Sequence, residues 1–179
     1  MTTVDLAQVI RKVPNHPTPG ILFYDLMPLF ADAAALAQCI ERTADWARPR
    51  AVDLVVGPES RGFVVAGAVA QALGAGFVAA RKPGKLPAVT VREEYDLEYG
   101  TDALEMHADA IRPGQRVLVH DDLLATGGTA AAACRLVESL GGVVVGFAFI
   151  VELTFLPGRA ALAPYEVMSL ITYDSEAME

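Results

Sequence analysis

The chain has 179 residues, 53% of them apolar types and 20% charged. That length favours one domain able to bury roughly 70% of the unfolded chain's surface, and the composition is too hydrophobic for a disordered chain and too poor in cysteine for a disulfide scaffold. Fourteen Lys and Arg against 22 Asp and Glu leave a formal net charge of −8, which excludes a broad basic face for nucleic acid and favours a soluble surface.

In chain order, residues 4–12 read as a short amphipathic helix. Pro14, Pro17, Pro19 and Gly20 then force an extended, turning path. Residues 21–25 form a short strand. Asp32 is placed to cap a helix reaching residue 48, whose inward stripe is Leu36, Ile40, Thr43, Ala44 and Ala47. Residues 51–56 form a buried strand, 57–60 a turn, 62–73 a helix apolar on nearly every side, and 77–80 a strand. Residues 81–102 change character, with Arg81, Lys82, Lys85 and Arg92 among Glu93, Glu94, Asp96, Glu98 and Asp102, and with breakers at Pro83, Gly84 and Pro87. A loop of that length inside a compact domain predicts a lid. Residues 116–120 form a strand, 121–128 a loop and 129–140 a helix ended by Gly141-Gly142; strands follow at 143–151 and 167–171. The alternation predicts an α/β fold with a mostly parallel central sheet flanked by helices.

Residues 64–80 are too rich in Ala and Gly, and too closely flanked by Arg61 and Arg81, to span a membrane. The opening residues lack a basic start followed by an apolar run, so no signal peptide is expected. Cys39 and Cys134 have no CxxC or His-spaced partner, and two buried thiols in a reducing cytoplasm are expected.

The densest chemical signal is the run Asp121-Asp122-Leu123-Leu124-Ala125-Thr126-Gly127-Gly128-Thr129. A buried strand ends in two carboxylates, and a small-residue loop then opens directly into a helix. Glycines let backbone N–H groups crowd an anion, and the helix N-terminus adds about half a positive charge. Thr126 and Thr129 add hydroxyl donors. The paired acids suit a vicinal diol, so the run describes a site for a 5-phosphorylated ribose. No GxxxxGK[ST] run is present, and Gly74-Ala75-Gly76 follows a helix and enters a strand, the reverse of the dinucleotide order, so it is read as a turn.

The Asp121–Thr129 run resembles the phosphoribosyl pyrophosphate signature of the type I phosphoribosyltransferases. Further segments resemble the adenine-specific branch of that family: residues 57–63 (GPESRGF), 81–87 (RKPGKLP) and 95–101 (YDLEYGT), with residues 17–23 and 151–154 also similar. The resemblance runs unbroken over about residues 10–172. It implies one domain over residues 1–179, with a small N-terminal hood at about 1–30, a core at about 31–179 and a mobile lid at about 83–102.

The resemblance also implies the site. Asp121, Asp122, Ala125, Thr126, Gly127, Gly128 and Thr129 would hold the ribose 5-phosphate. The Glu59, Ser60 and Arg61 turn, with a cis peptide at Glu59–Ser60, would hold the diphosphate together with Arg81, Lys82 and Lys85. The basic side chains there can neutralise a leaving diphosphate, although Lys82 taken alone also fits a solvated loop. Glu93, Glu94, Asp96 and Glu98 are equivalent by residue type; the resemblance singles out Glu98 as the catalytic proton carrier. The backbone at Leu22 would read the base edge, with Phe23 and Leu153 against its two faces; Leu153 equally suits the core. Tyr24 stands where the family commonly has Arg or Lys, and His120 where it usually has an apolar residue. Mg²⁺ is expected as a bridge between substrate oxygens with few direct protein ligands, no protein metal site, no nucleic acid and no membrane partner. A cytoplasmic homodimer is implied, with apolar residues near Met27–Phe30 available to an interface. The implied reaction joins adenine to phosphoribosyl pyrophosphate, giving AMP and diphosphate. A transferase for hypoxanthine, guanine or xanthine, and a non-catalytic sensor of phosphoribosyl pyrophosphate, are the alternatives.

Overall fold

The computed structural model describes residues 3–96 and 101–175. Its centre is a five-stranded sheet built from β3 (Leu54–Pro58), β4 (Gly76–Ala80), β7 (Arg116–Leu124), β8 (Val143–Leu153) and β9 (Val167–Tyr173), in the order β4-β3-β7-β8-β9. Each neighbouring pair is parallel. Parallel sheets need crossover helices on their faces, which is why the central strands read as continuous apolar runs.

One face is covered by α3 (Ala33–Ala47), α4 (Gly62–Leu73) and the N-terminal elements. There Val55, Leu118, Ala148 and Ile150 of the sheet pack with Cys39, Val65, Val69, Leu26 and Leu29. The other face is covered by α5 (Gly128–Ser139). Leu136, Val137 and Ala133 of that helix pack on Val56, Val117, Val119, Phe147 and Phe149. The Asp32 carboxylate caps α3, accepting from the N–H groups of Ala34 and Ala35 at 2.9 Å, as its position predicted.

The N-terminal expectation needs correction. The first helix, α1, spans only Leu6–Val9, and the rest of the supposed helix is β1 (Arg11–Pro14), paired antiparallel with β2 (Leu22–Asp25). The hairpin wins because residues 14–20 turn sharply: Asn15 has φ of 58°, its Oδ1 accepts from Gly20 N–H at 2.9 Å, and the His16–Pro17 peptide is cis. A short helix, α2 (Met27–Ala31), also escaped the sequence reading; Pro28 starts it. Of the Met27–Phe30 stretch, Met27 is exposed whereas Leu29 is fully buried.

Residues 81–102 are not simply a loop. They include β5 (Thr90–Asp96), which pairs antiparallel with β6 (Thr101–His107) from Thr90↔His107 to Asp96↔Thr101. Strand pairing absorbs the charged residues by leaving Arg92 and Glu94 on the outer face. The arm is anchored on the core by Leu104 and Met106, both fully buried, and by Arg135 of α5, whose Nε donates to Glu93 at 3.0 Å. No described helix is long and apolar enough to cross a membrane. Both cysteines are buried and free, and burial pushes their thiols up, Cys39 to about 12 and Cys134 to about 11.

His120 sits fully buried in β7 with neither ring nitrogen hydrogen-bonded among the described residues. Burial depresses its pKa to about 4. A histidine held neutral in the fold costs stability as pH falls below its unfolded value near 6.5, because only the unfolded chain then takes up the proton. The contribution is complete above pH 7 and about 2 kcal/mol smaller at pH 5. The melting-temperature difference between His120→Leu and the unaltered chain is therefore expected to shift in favour of the variant between pH 8 and pH 5. A pH-independent difference in calorimetric melting would contradict the depressed value.

Candidate active site

The site lies at the carboxyl ends of the parallel strands, where crevices form between a strand and the helix that follows it. Two such junctions meet there. β7 runs further than its sequence suggested. Instead of ending at His120 it continues through both acids to Leu124, because Asp121, Leu123 and Leu124 still pair with Phe149, Val151 and Glu152 of β8. The loop shrinks to Ala125–Gly127, and α5 begins at Gly128. Gly127 has φ of 86°, a left-handed conformation that L side chains resist, and it is packed so closely that a Cβ would lie 2.8 Å from the Gly158 carbonyl. Its own carbonyl accepts from Ala131 N–H at 2.9 Å, which fixes the first turn of the helix. The N–H groups at the start of α5 lack intrahelical partners by geometry and are available to an anion.

The second junction is the turn from β3 into α4. The Glu59–Ser60 peptide is cis, as the resemblance implied. Arg61 stands at the helix entrance with its Nε 2.8 Å from Asp122 Oδ2. The two junctions interlock at Gly62, where a Cβ would come within 2.8 Å of Asp121 Oδ1.

A cavity of about 300 Å³ joins these parts. Glu59, Ser60, Arg61, Lys82, Asp121, Asp122 and the whole stretch from Ala125 to Thr129 line it, so most residues assigned to the ribose phosphate and diphosphate come together. Tyr95 and Phe149 also line it and were not singled out from sequence. Arg81 and Lys85 stand outside the lining. Arg81 forks onto Glu59, with Nε to Oε2 at 3.1 Å and Nη2 to Oε1 at 3.2 Å, and Lys85 is exposed, offering Arg81 its carbonyl at 3.3 Å. The Glu59 carboxylate also accepts from Lys82 N–H at 3.0 Å, and the Arg81 and Lys82 hydrogen bonds hold its pKa below the usual range. Glu59 thus braces the basic segment rather than presenting its charge to the cavity.

Lys82 reaches toward the arm. Its Nζ donates to Asp102 and to Tyr95 Oη, the latter at 3.0 Å, and Tyr95 Oη donates to Asp102 at 3.1 Å. Burial alone would lower the ammonium pKa; the bonds to Asp102 and Tyr95 outweigh it and hold it above the ordinary value. Asp102 and Tyr95 are cross-strand partners in the hairpin, and only the hairpin register could have revealed that they share Lys82. Glu98, the proposed proton carrier, lies outside the described residues.

None of the base-contact candidates lines the cavity, and Phe23 touches a residue that does. Phe23 on β2 faces Arg61, whose guanidinium carbon is 5.4 Å from the ring centroid, and His16 packs edge-on to the same ring at 5.0 Å. Leu22 is buried in the α3–α4 face of the core, and Leu153, at the end of β8, is half-buried against that same cluster. Tyr24 is buried and stacks on Tyr173 with centroids 4.3 Å apart.

Asp121 and Asp122 are the electrostatic focus. Burial and the neighbouring Asp122 charge push Asp121 well above the usual carboxylate range. Burial raises Asp122 too, against the opposing pull of Arg61. The Asp121 Oδ1 atom accepts from Asp122 N–H at 2.8 Å. Asp122 Oδ2 is buried and makes no aligned hydrogen bond among the described residues, although the Arg61 guanidinium is alongside. Such carboxylate oxygens are ready acceptors for ligand hydroxyls or a hard cation.

A family model described as Phosphoribosyl transferase domain matches residues 23–165. An adenine phosphoribosyltransferase of Solibacter usitatus is 58% identical over 170 residues, 95% of this chain and 98% of that protein. The chain belongs to the adenine phosphoribosyltransferases of the phosphoribosyltransferase family. The crystal structure of adenine phosphoribosyltransferase from Thermoanaerobacter pseudethanolicus superposes with a TM-score of 0.92 at 51% identity, covering 94% of this chain and 98% of that one. The Saccharomyces cerevisiae adenine phosphoribosyltransferase, in complex with D-2,5-dideoxy-2,5-imino-altritol 1,6-bisphosphate and adenine, superposes at 0.87 with 40% identity over 93% and 96% of the two chains. The α/β architecture expected of the family is therefore present, and the acid pair, the loop and the basic turn share one crevice of this family member.

Replacing Asp121 by Asn keeps the acceptor for Asp122 N–H and removes an acid whose ionisation the fold opposes. The folded pKa is raised, so the penalty is absent below the unfolded value of about 3.9 and grows as pH rises through the folded one. Asp121→Asn is expected to gain melting temperature over the unaltered chain at pH 8 and to lose that gain near pH 4, while its affinity for a ribose phosphate falls. A fall in stability at pH 8 would show that the carboxylate is not held against its preference.

Proposed function

We propose that this chain transfers the 5-phosphoribosyl group of phosphoribosyl pyrophosphate to adenine, releasing diphosphate and forming AMP, a purine-salvage reaction. The observation that carries the reading is one cavity in which a helix N-terminus, the half-buried Asp121, the buried Asp122 and a basic turn meet. Each part answers one part of the substrate. The N–H groups and hydroxyls of Thr126, Gly127, Gly128 and Thr129 hold the 5-phosphate. Asp121 and Asp122 accept hydrogen bonds from the ribose hydroxyls. The Ser60 turn, Arg61 and Lys82 take the diphosphate, with Arg81 and Lys85 behind them, neutralising charge as the C1–O bond breaks.

Arg61 stands between Asp122 and the Phe23 ring, so the ribose and the base side of the site adjoin. The hood backbone at Leu22 reads the adenine edge, and Phe23 and Leu153 meet the two ring faces. Attack by the purine nitrogen on C1 passes through an oxocarbenium-like state, and Glu98 takes the purine proton as the arm closes. Mg²⁺ would be held mainly by substrate oxygens, with few or no direct protein ligands, and the carboxylate oxygens of Asp121 and Asp122 on the cavity wall fit beside it. When bound, Mg²⁺ supplies charge neutralisation on the substrate's diphosphate and ribose oxygens. The buried free thiols fit a cytoplasmic setting, and the functional unit is a homodimer, which a monomeric mass in light scattering would contradict.

Release of diphosphate from phosphoribosyl pyrophosphate, measured with Mg²⁺ and each of adenine, hypoxanthine, guanine and xanthine, tests the reaction. Adenine is expected to be preferred; release with another base instead moves the assignment to that base. Binding without turnover on any base marks a sensor rather than an enzyme. Glu98→Ala is expected to lower kcat by roughly 10²–10⁴-fold with nearly unchanged affinity for phosphoribosyl pyrophosphate. Near-normal turnover would remove Glu98 from the chemistry.

A further inference from the structure

The buried Glu152 carboxylate and the half-exposed Arg159 guanidinium form an ion pair outside the cavity, and its placement gives it a task. Glu152 is 2% exposed and lies in register with Leu124, the last strand residue before the phosphate loop. Its carboxylate accepts from Arg159 Nε at 2.8 Å and Nη2 at 2.5 Å, and from Ser169 Oγ of β9 at 2.6 Å. Arg159 Nη1 also donates to the Val167 carbonyl at 2.9 Å. The guanidinium is therefore fixed to two strands at once.

Arg159 belongs to α6 (Gly158–Ala161), the turn packed against the outside of the phosphate loop. Contact there is backbone to backbone. A Cβ on Gly158 would lie 2.2 Å from the Ala125 carbonyl and 2.9 Å from Leu124 Cδ1. Gly127 in turn lies against the Gly158 carbonyl and Ala161 Cβ. Backbone meets backbone across this seam, beside the Leu124 and Ala161 side chains, so displacement of α6 bears directly on the loop that opens α5.

An ion pair with one partner half in water is weak evidence for stability, since solvent screens much of its attraction. What a forked pair adds is orientation. We propose that Glu152 and Arg159 are positioning residues for the phosphate loop: they fix α6 on β8 and β9, and α6 fixes the loop in its anion-binding shape. The proposal rests on the reading that this loop takes the 5-phosphate.

The test compares Glu152→Gln, Arg159→Gln, Arg159→Lys and Gly158→Ala with the unaltered chain. Initial rates are taken against each substrate, and ribose 5-phosphate binding is measured by calorimetry. For Glu152→Gln, Arg159→Gln and Gly158→Ala, the KM for phosphoribosyl pyrophosphate and the Kd for ribose 5-phosphate are expected to rise about tenfold or more, with kcat within about threefold and the adenine KM within about twofold. Arg159→Lys should recover part of the loss. Arg159 is half-exposed, so its variants decide the matter if Glu152→Gln does not fold. A lower melting temperature with unchanged ribose 5-phosphate affinity in Arg159→Gln overturns the positioning role alone. Failure of the unaltered chain to bind ribose 5-phosphate overturns the loop assignment and this proposal with it.

Discussion

Two carboxylates on consecutive residues, one buried and one half-buried, resist carrying charge together. Asp121 and Asp122 are placed this way at the end of the central strand, and the surrounding structure answers their charge. Arg61 comes alongside from the neighbouring strand-to-helix turn. Gly62 lets that helix approach Asp121 without a side chain in between. The helix following the acids points its N-terminus, the positive end of its dipole, toward the same crevice. The close approach of α4 at Gly62 and the position of Arg61 both answer to the acid pair.

Much of this was legible in the sequence because strand-to-helix junctions leave strong local marks. The Asp121–Thr129 run announces its chemistry through residue types within nine positions, and GPESRG does the same for the second turn. The strand end was misplaced for a physical reason. Acids are poor strand formers by type, yet β8 continues far enough to pair with Asp121 and Leu124, and tertiary pairing overrides local preference. The hairpin of residues 90–107 was hidden for a similar reason. Charged residues at 92–94 and breakers at 83–87 obscure an alternation that becomes visible only beside its partner strand.

What sequence could not supply is cross-chain partnership among side chains. Glu59 reads as one more residue of a diphosphate turn, but its carboxylate is committed to Arg81 and the Lys82 backbone. Lys82 reads as a free cation, but it is shared with Tyr95 and Asp102 of the arm. Both assignments depend on which strands lie side by side. The basic segment thus reaches the cavity already tethered on two sides, and a polyanion entering there must compete with acids of the protein itself.

The β1–β2 hairpin is a sheet of its own. Among the described residues its two strands pair only with each other, and Leu22 and Tyr24 seat it on the α3–α4 side of the core, whereas the loop that opens α5 packs against α6. The loop that opens α5 is thus shaped by main-chain contacts with α6, whereas the β1–β2 hairpin is held by side chains packed on the opposite face of the sheet. Substitutions in the hairpin are therefore insulated from that loop by the full thickness of the sheet, and the two faces are free to diverge separately.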